Sequence, residues 1–148
     1  MRIGAHVSTS EALDKCIDRS CEIGAEAMQI FACAPQSWRP VAHADEAIGQ
    51  LKRRSAECNV APIFVHGIYL VNLASADGAH LERSVTSLAQ CLRFCEAAGA
   101  QGVIFHVGSH KGAGFDPTMP QIVRAIQQVL EQAPAGGHGQ ELNAAADA

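Results

Sequence analysis

Three histidines, His6, His66 and His106, each stand at the end of a short apolar run. Such runs alternate here with helical patterns and predict parallel strands, whose C-terminal ends share one edge of a sheet. Active sites of parallel α/β folds are built on that edge. We expect the three histidines at the same register, with His66 and His106 on neighbouring strands ~4.8 Å apart. Two imidazoles so placed can bind one metal ion, and imidazole suits zinc.

A single histidine at a strand end is more often a hydrogen-bonded structural residue, which is the alternative interpretation for each of the three. A catalytic zinc site also needs about three protein ligands. His110 follows His106 by four residues, beyond the strand, and is interpreted as a loop or substrate-contact residue near the site. Glu141 follows Gly-Gly-His-Gly-Gln rather than an apolar run and is not taken as a ligand. The sequence by itself assigns no catalytic residue.

The strands that carry these histidines belong to a strand–helix pattern that occurs four times. The predicted strands cover residues 2–6, 27–31, 63–66 and 102–106. Ser8 and Glu11 form a possible capping box for the first helix, and Asp116-Pro117 offers an N-cap and N1 proline for the fourth. The second helix is predicted over residues 45–58. Four such units predict a parallel sheet with right-handed crossovers and make half of an eight-unit barrel pattern.

The chain divides into a patterned part and a tail. Residues 1–133 form the predicted α/β domain. Residues 134–148 are rich in Gly and Ala and have no strand-like apolar run, which predicts a disordered or divergent tail. The 148 residues match the length of one domain.

Composition excludes several classes of protein. Hydrophobic residues make up 48% and charged residues 18%, which favours a buried core over disorder. Eleven Lys and Arg against fifteen Asp and Glu give a net charge of −4, which argues against a broad basic face for nucleic acid. No apolar run approaches the ~20 residues of a membrane span. With no signal-peptide pattern at the start, we expect a cytoplasmic protein without membrane contact. Six cysteines without a Cys-x-x-Cys pair predict mostly buried free thiols.

At these residues the sequence resembles the endonuclease IV family of abasic-site repair enzymes. The matching stretches follow in order to about residue 130: Ile3-Gly4-Ala5-His6-Val7-Ser8, Gln29-Ile30-Phe31 with Ser37-Trp38, His66 with Tyr69-Leu70-Val71-Asn72-Leu73-Ala74-Ser75, and Phe105-His106-Val107-Gly108-Ser109-His110. The resemblance implies an α/β fold of the TIM-barrel type with a trinuclear zinc site at the strand C-termini, of which this chain has the N-terminal half. It also implies that a metal-activated hydroxide attacks the phosphodiester 5′ to an abasic site in double-stranded DNA and leaves a 3′-hydroxyl.

The resemblance gives roles to five residues of the chain. His66 and His106 match zinc ligands of the family, and His6 matches an active-site neighbour. Tyr69 and Leu70 match residues that wedge into the DNA at the lesion, as apolar and aromatic side chains do in other proteins. Ordinary loop packing is the alternative for Tyr69 and Leu70.

The sequence departs from the family pattern in two ways. Gln36 stands where the family usually has an arginine that enters the DNA, and Ala34 replaces a usual asparagine, which predicts weaker lesion binding. The remaining carboxylate and histidine ligands, including a bridging glutamate, come from strands five to eight, which this chain lacks. We therefore expect weak zinc binding, and low or absent cleavage by the chain alone.

Two other functions stay open. A sugar isomerase or epimerase on a similar barrel would also use histidines at strand ends. A truncated, non-enzymatic product would need a partner or a second copy to cover its open sheet edge. The Tyr69-Leu70 and Gly108-Ser109-His110 stretches favour the nuclease.

Overall fold

The computed structural model describes residues 1–133 and, as one further strand, residues 141–145. Strands and helices alternate along the chain. The strands are β1 (Gly4–His6), β2 (Ala27–Phe31), β3 (Ile63–His66), β4 (Gly102–His106) and β5 (Glu141–Ala145). The helices are α1 (Lys15–Glu22), α2 (Asp45–Cys58), α3 (Gly78–Ala98) and α4 (Phe115–Glu131). The four predicted strand–helix units are confirmed.

All the strands lie in one parallel sheet, in the order β1-β2-β3-β4-β5. Each strand pairs with the next along the chain, and a helix connects each neighbouring pair. This is the connectivity of a barrel wall, with hydrogen-bonding edges left at β1 and β5 within the described residues.

The two faces of the sheet differ in burial because side chains alternate along each strand. The face under the helices, here called the covered face, has side chains that are at most 2% exposed: Met28, Ile30, Val65, Val103 and Phe105. The opposite face, here called the open face, is only partly buried at the alternate positions: Gln29, Phe31, Phe64, Ile104 and His106. A closed barrel would enclose this open face.

The helices cover the sheet with one apolar stripe each. On α3, Val85, Leu88 and Leu92 are buried over β3 and β4. On α4, Val129 is buried, whereas Leu130 is 40% exposed and does not belong to the core. In the described part of the chain, no helix combines the length and the apolar character needed to span a membrane.

The first and fourth helices begin at residues other than those predicted. Ser8 and Glu11 do not cap α1, which begins at Lys15. Glu11 has a φ of 77°, a left-handed conformation incompatible with a helical turn, and Ser8 Oγ accepts a hydrogen bond from Ser10 N at 3.1 Å instead. Gly114, rather than Asp116, precedes the first residue of α4. By contrast β2, β3, β4 and α2 have the predicted bounds.

The predicted tail contains a strand. β5 pairs in parallel with all of β4, from Gly102 opposite Glu141 to His106 opposite Ala145. The expectation that no strand follows residue 133 is therefore wrong for residues 141–145, because the unpaired edge of β4 supplies hydrogen-bonding groups that need no apolar pattern. Residues 134–140 and 146–148 lie outside the described residues, so the boundary after residue 133 stays a prediction.

The six cysteines are free thiols. Cys16, Cys91 and Cys95 are buried, which is half of the six rather than most of them, and Cys33 and Cys58 are partly buried. Cys21 is exposed on α1. Burial is the main cause that raises the pKa of the Cys91 thiol to about 12, so this thiol stays protonated at neutral pH.

Candidate functional site

His6, His66 and His106 end three strands at the same edge of the sheet, on the open face. They do not share one register, contrary to expectation. His66 pairs with Ile104 of β4, two residues before His106, and a similar offset separates His6 from His66. The row of histidines therefore runs diagonally across the sheet, because strands in a barrel are staggered.

The three imidazoles nevertheless come together. The ring centroids of His66 and His106 are 5.4 Å apart, and those of His6 and His66 are 5.6 Å apart although β2 lies between their strands. Phe31 of β2 contacts both, at 4.6 Å from His6 and 5.0 Å from His66. Curvature of the sheet toward the open face accounts for this convergence. Phe31 stands in a stretch that resembles the family, but its place between the histidines was not predicted, since no local pattern marks a residue that fills the space between two strands.

His66 presents one nitrogen suited to a metal ion. Its Nδ1 lies 2.5 Å from the Gly67 carbonyl oxygen, and because a carbonyl only accepts, Nδ1 carries the proton. Nε2 is then the basic nitrogen of the neutral ring, the arrangement common in metal-binding histidines. Burial, and secondarily the charge of His106, lower the pKa of His66, while the Gly67 hydrogen bond opposes them. The ring is therefore neutral at pH 7, as a metal ligand must be.

In His6 the proton lies on the other ring nitrogen than in His66. Gln29 Nε2 lies 2.9 Å from His6 Nδ1, so an amide N–H donates to Nδ1 and the proton of the neutral ring sits on Nε2. Partial desolvation, and secondarily His66, lower the pKa of His6. His6 is thus placed to donate a hydrogen bond beside the histidine pair, which fits the expected role of a neighbour rather than a ligand.

Tyr69 and Leu70 lie in the β3–α3 loop, directly beside the histidines. The Tyr69 side chain is 54% exposed, and its ring centroid is 5.6 Å from that of His66 and 6.1 Å from that of His106. Leu70 is partly buried against the core. A half-exposed tyrosine over two histidines can contact a ligand that occupies the site.

Four neighbouring segments hold this loop in place. Tyr69 N donates to the Pro35 carbonyl at 2.9 Å, and Leu73 N donates to the Val107 carbonyl at 2.8 Å. His80 Nε2 of α3 lies 2.8 Å from the Leu70 carbonyl, and Gln121 Nε2 of α4 lies 2.9 Å from the carbonyls of Leu73 and Ser75. Sequence reasoning missed these residues because their partners lie far away in the chain. The loop is consequently fixed before any ligand binds.

Asn72 and Gly108 join this loop to the β4–α4 loop. Asn72 Nδ2 donates to the Ser109 carbonyl at 3.1 Å, and Asn72 Oδ1 accepts from Ala74 N at 3.0 Å. Gly108 has a φ of 102°, and a Cβ placed on it would lie 2.2 Å from Asn72 Oδ1. Only glycine permits this approach, so the two loops that flank His106 form one unit.

The other predicted site residues lie at the rim. His110 is exposed, and its Nδ1 accepts hydrogen bonds from Gly112 N at 3.2 Å and Gly114 N at 3.0 Å, so it shapes its own loop. Gln36 and Ala34 lie in the turn around Pro35, whose carbonyl binds Tyr69 N. Gln36 thus directly follows the residue that binds Tyr69 N.

Two clefts open on this edge of the sheet. One, of about 610 Å³, lies between the β1–α1 and β2–α2 loops and is lined by His6, Phe31 and Tyr69. The other, of about 530 Å³, lies on the far side of Tyr69 and is lined by Leu70 and His106. Tyr69 separates them, so an extended ligand could occupy both sides of this ring.

His66 and His106 are suited to bind one metal ion together, because both are imidazoles and their ring centroids are 5.4 Å apart. Among the described residues, however, no group of three or more His, Cys, Asp or Glu side chains surrounds a common point. A catalytic zinc site takes about three protein ligands. The two histidines are fewer than the ligands that such a site needs.

Comparison with known proteins agrees with this arrangement. Residues 17–137 match the model of a family described as xylose isomerase-like TIM barrel. The chain belongs to that family. The predicted TIM-barrel type of fold is thereby confirmed, with four βα units of the barrel in this chain.

The resemblance to endonuclease IV is confirmed as well. The chain is 35% identical over 136 residues to a probable endonuclease 4 of Halothermothrix orenii, covering 92% of this chain and 49% of that protein. It matches the crystal structure of endonuclease IV from Thermus thermophilus with a TM-score of 0.79 and 30% identity, covering 90% of this chain and 47% of that one. An L-ribulose 3-epimerase matches with a TM-score of 0.69 and 24% identity over 97% of this chain and 48% of that one, which shows a shared fold. The chain thus spans about half the length of the proteins it matches.

Proposed function

We propose that this chain forms the N-terminal half of the active-site face of an abasic-site endonuclease. In this proposal His66 and His106 are two ligands of a zinc centre, and Tyr69 and Leu70 insert into double-stranded DNA at the lesion. The observation that carries the proposal is the placement of Tyr69 within 6.1 Å of both histidine rings, on a loop fixed from four sides. The activity proposed for the whole active site is hydrolysis of a DNA phosphodiester in DNA repair.

The chain's own residues have defined tasks in such a reaction. Zinc, when bound, supplies a Lewis acid and lowers the pKa of coordinated water. The Gly67 carbonyl holds the proton of His66 on Nδ1 and leaves Nε2 as the nitrogen that can bind a metal ion. His6, with its proton on Nε2, can donate a hydrogen bond to a phosphate oxygen. Tyr69 and Phe31, whose ring centroids are 5.2 Å apart, form an aromatic wall beside His66.

A two-histidine site predicts weak zinc binding by this chain alone. The binding free energy should fall well short of the roughly 10 kcal/mol or more of complete four-ligand sites. Isothermal titration of the purified chain with zinc chloride measures it. His66→Asn is the most specific variant for this test. Asparagine keeps an N–H near the position of Nδ1 for the Gly67 carbonyl but removes the metal-binding Nε2.

We expect H66N and H106N each to weaken zinc binding at least tenfold, as loss of one ligand from a small set should. His110→Asn is the matched control, since His110 accepts hydrogen bonds within its own loop, and it should bind zinc like the parent. Two or three tightly bound zinc ions per chain, or equal binding by H66N and the parent, would contradict the proposal.

DNA recognition is tested separately from metal binding. Fluorescence anisotropy would compare a duplex that contains a tetrahydrofuran abasic analogue with the undamaged duplex. We expect the parent to prefer the abasic duplex and Tyr69→Ala to weaken that binding roughly tenfold, the value of one aromatic stacking contact. Phe115→Ala removes another exposed aromatic side chain, 62% exposed at the start of α4, and should leave the preference unchanged. Equal affinity of the parent for both duplexes would contradict the proposed recognition of abasic DNA.

Cleavage is expected to be low or absent, because no three His, Cys, Asp or Glu side chains of the described residues come together where they could hold a metal ion. An assay of strand scission 5′ to the abasic site, run beside a panel of ketoses, also addresses the alternative of a sugar epimerase. The shared fold with L-ribulose 3-epimerase favours that alternative. The open clefts and the half-exposed Tyr69 favour a long polymer over a small enclosed sugar. Ketose turnover without DNA binding would select the epimerase.

Self-association is part of the same proposal. The open face and the hydrogen-bonding edge of β1 are the surfaces that a closed barrel would cover. Light scattering after size exclusion measures the mass in solution, and we expect a concentration-dependent dimer. A monomer at all concentrations would show that these surfaces stay solvated.

A further inference from the structure

Two cysteines remote from the histidine edge face each other on the outer helices. Cys21 lies in the last turn of α1, and Cys58 is the last residue of α2. One turn earlier, Arg54 Nη2 of α2 lies 2.8 Å from Asp18 Oδ1 of α1. Helices that follow parallel strands of one sheet run in the same direction, so the residues one turn beyond this ion pair also come together.

Contacts between the side chains agree with this placement. The Cys21 and Cys58 thiols are hydrogen-bonded to each other, which raises the pKa of Cys21. The Arg54 guanidinium partly opposes this rise at Cys21, because a neighbouring cation favours the thiolate form in which cysteine reacts. Cys21 is exposed and Cys58 is only partly buried, so a small molecule in solution can reach the pair.

We propose that Cys21 and Cys58 form an oxidative modification site, at which a small-molecule disulfide of the glutathione class links α1 to α2. The Cys21 thiolate attacks one sulfur of oxidised glutathione, so that its S–S bond breaks and one glutathione thiol leaves. The Cys58 thiolate then attacks the Cys21 sulfur of the mixed disulfide and releases the second glutathione thiol. The two cysteine protons end on the two glutathione molecules, and two electrons pass from the cysteines to glutathione.

The link would stabilise the wall of the barrel without touching the histidine edge. The helices run opposite to the strands, so the C-terminal ends of α1 and α2 lie at the N-terminal edge of the sheet. A bond between residues 21 and 58 closes a segment that contains β2 and α2. Restricting that segment in the unfolded chain should raise Tm by roughly 5 to 10 °C.

Oxidised glutathione added to the full chain tests the proposal. Counting free thiols with N-ethylmaleimide in denaturant should show four instead of six, and the mass of the oxidised chain should fall by two hydrogen atoms. C58S should instead keep one glutathione on Cys21, because the resolving thiol is absent. C33S is the matched control for a partly buried cysteine outside the pair, and it should form the disulfide like the parent.

Any of the following results would overturn the proposal. A stable glutathione adduct on Cys21 of the parent would show that Cys58 is too far away to resolve it. Six free thiols after oxidation, a disulfide that includes Cys33, or a bond between two chains would exclude the Cys21–Cys58 pair. Cys91 and Cys95, one turn apart on α3 but buried, provide an internal reference and should stay reduced throughout.

Discussion

The covered face and the open face of this sheet come from the same strands but differ in what holds them. On the covered face, alternate side chains such as Val65 and Phe105 are at most 1% exposed under the helices. On the open face, Phe64 and Ile104 are only partly buried, and the strands end in histidines. Apolar packing therefore stabilises one face, whereas the other presents polar and aromatic groups at its C-terminal edge.

The loops at that edge are held by hydrogen bonds instead of apolar packing. Asn72, His80 and Gln121 each bind a backbone carbonyl of a loop near the histidines. Such contacts fix geometry with little apolar area, so the edge can stay solvated and still be rigid. Stability and site geometry therefore depend on separate sets of residues here, which predicts that substitutions can change one without the other.

The largest expected effect is on the covered face. Phe105→Ala removes a side chain that is 1% exposed and should lower the free energy of unfolding by about 3–5 kcal/mol. Phe64→Ala, the same change on the partly buried open face, should cost about 1–2 kcal/mol. Urea denaturation followed by circular dichroism measures both.

Equal losses of unfolding free energy in F105A and F64A would contradict the difference in packing between the covered face and the open face. They would show that the open face is packed in solution, by a second copy or by other residues. Repeating the F64A measurement over a range of protein concentrations distinguishes these, since only self-association makes stability depend on concentration.

The sequence predicted the regular elements where apolar runs end at strong local signals. Ile63–His66 follows Pro62, and α2 begins at Asp45, and both bounds were confirmed. The sequence-based prediction was wrong at the start of the first helix and after residue 133. Glu11 takes a left-handed conformation instead of capping a helix, and β5 forms on the edge of β4 without an apolar pattern.

The candidate site was predictable to a similar extent. Strand-end spacing placed His66 and His106 together, and the structure has their ring centroids 5.4 Å apart. The diagonal offset between them was not predictable, because register depends on pairing between strands rather than on either strand alone. The contacts of Gln29 and Asn72, which stand in stretches that resemble the family, were missed for the same reason, since their polar partners lie 23 and 37 residues away.

An intermediate effect is expected at the junction of the two loops. Gly108→Ala places a methyl group 2.6 Å from Asn72 Cα at a φ of 102° and should lower the free energy of unfolding by roughly 2–3 kcal/mol. Gly112→Ala has a similar φ of 93° but no atom within 4 Å, and should cost roughly 1 kcal/mol.

Fluorescence of Trp38 gives a local measurement for the same pair. Its ring centroid lies 5.3 Å from that of His80, and His80 binds the Leu70 carbonyl, so a displaced loop should change the emission of this single tryptophan. The change should appear in G108A and not in G112A. Adding Asn72→Ala to G108A should not restore the parent spectrum, because the close contact includes backbone; full restoration would show that the side chain alone sets the approach.

The smallest effect is expected at the ion pair on the outer helices, where neither face of the sheet is involved. The hydrogen bond from Arg54, and then that from Lys15, hold the pKa of Asp18 below its usual value. A carboxylate with a lowered folded-state pKa contributes stability above the unfolded pKa of ~3.9 and loses it as the pH falls through the folded value. Asp18→Asn should therefore lower Tm slightly at pH 7, and the difference from the parent should vanish near pH 2. Because Asp18 and Arg54 are both partly exposed, solvent screens their interaction, and a loss comparable to that of F105A would mean that surface charge, rather than the covered face, stabilises the helix layer.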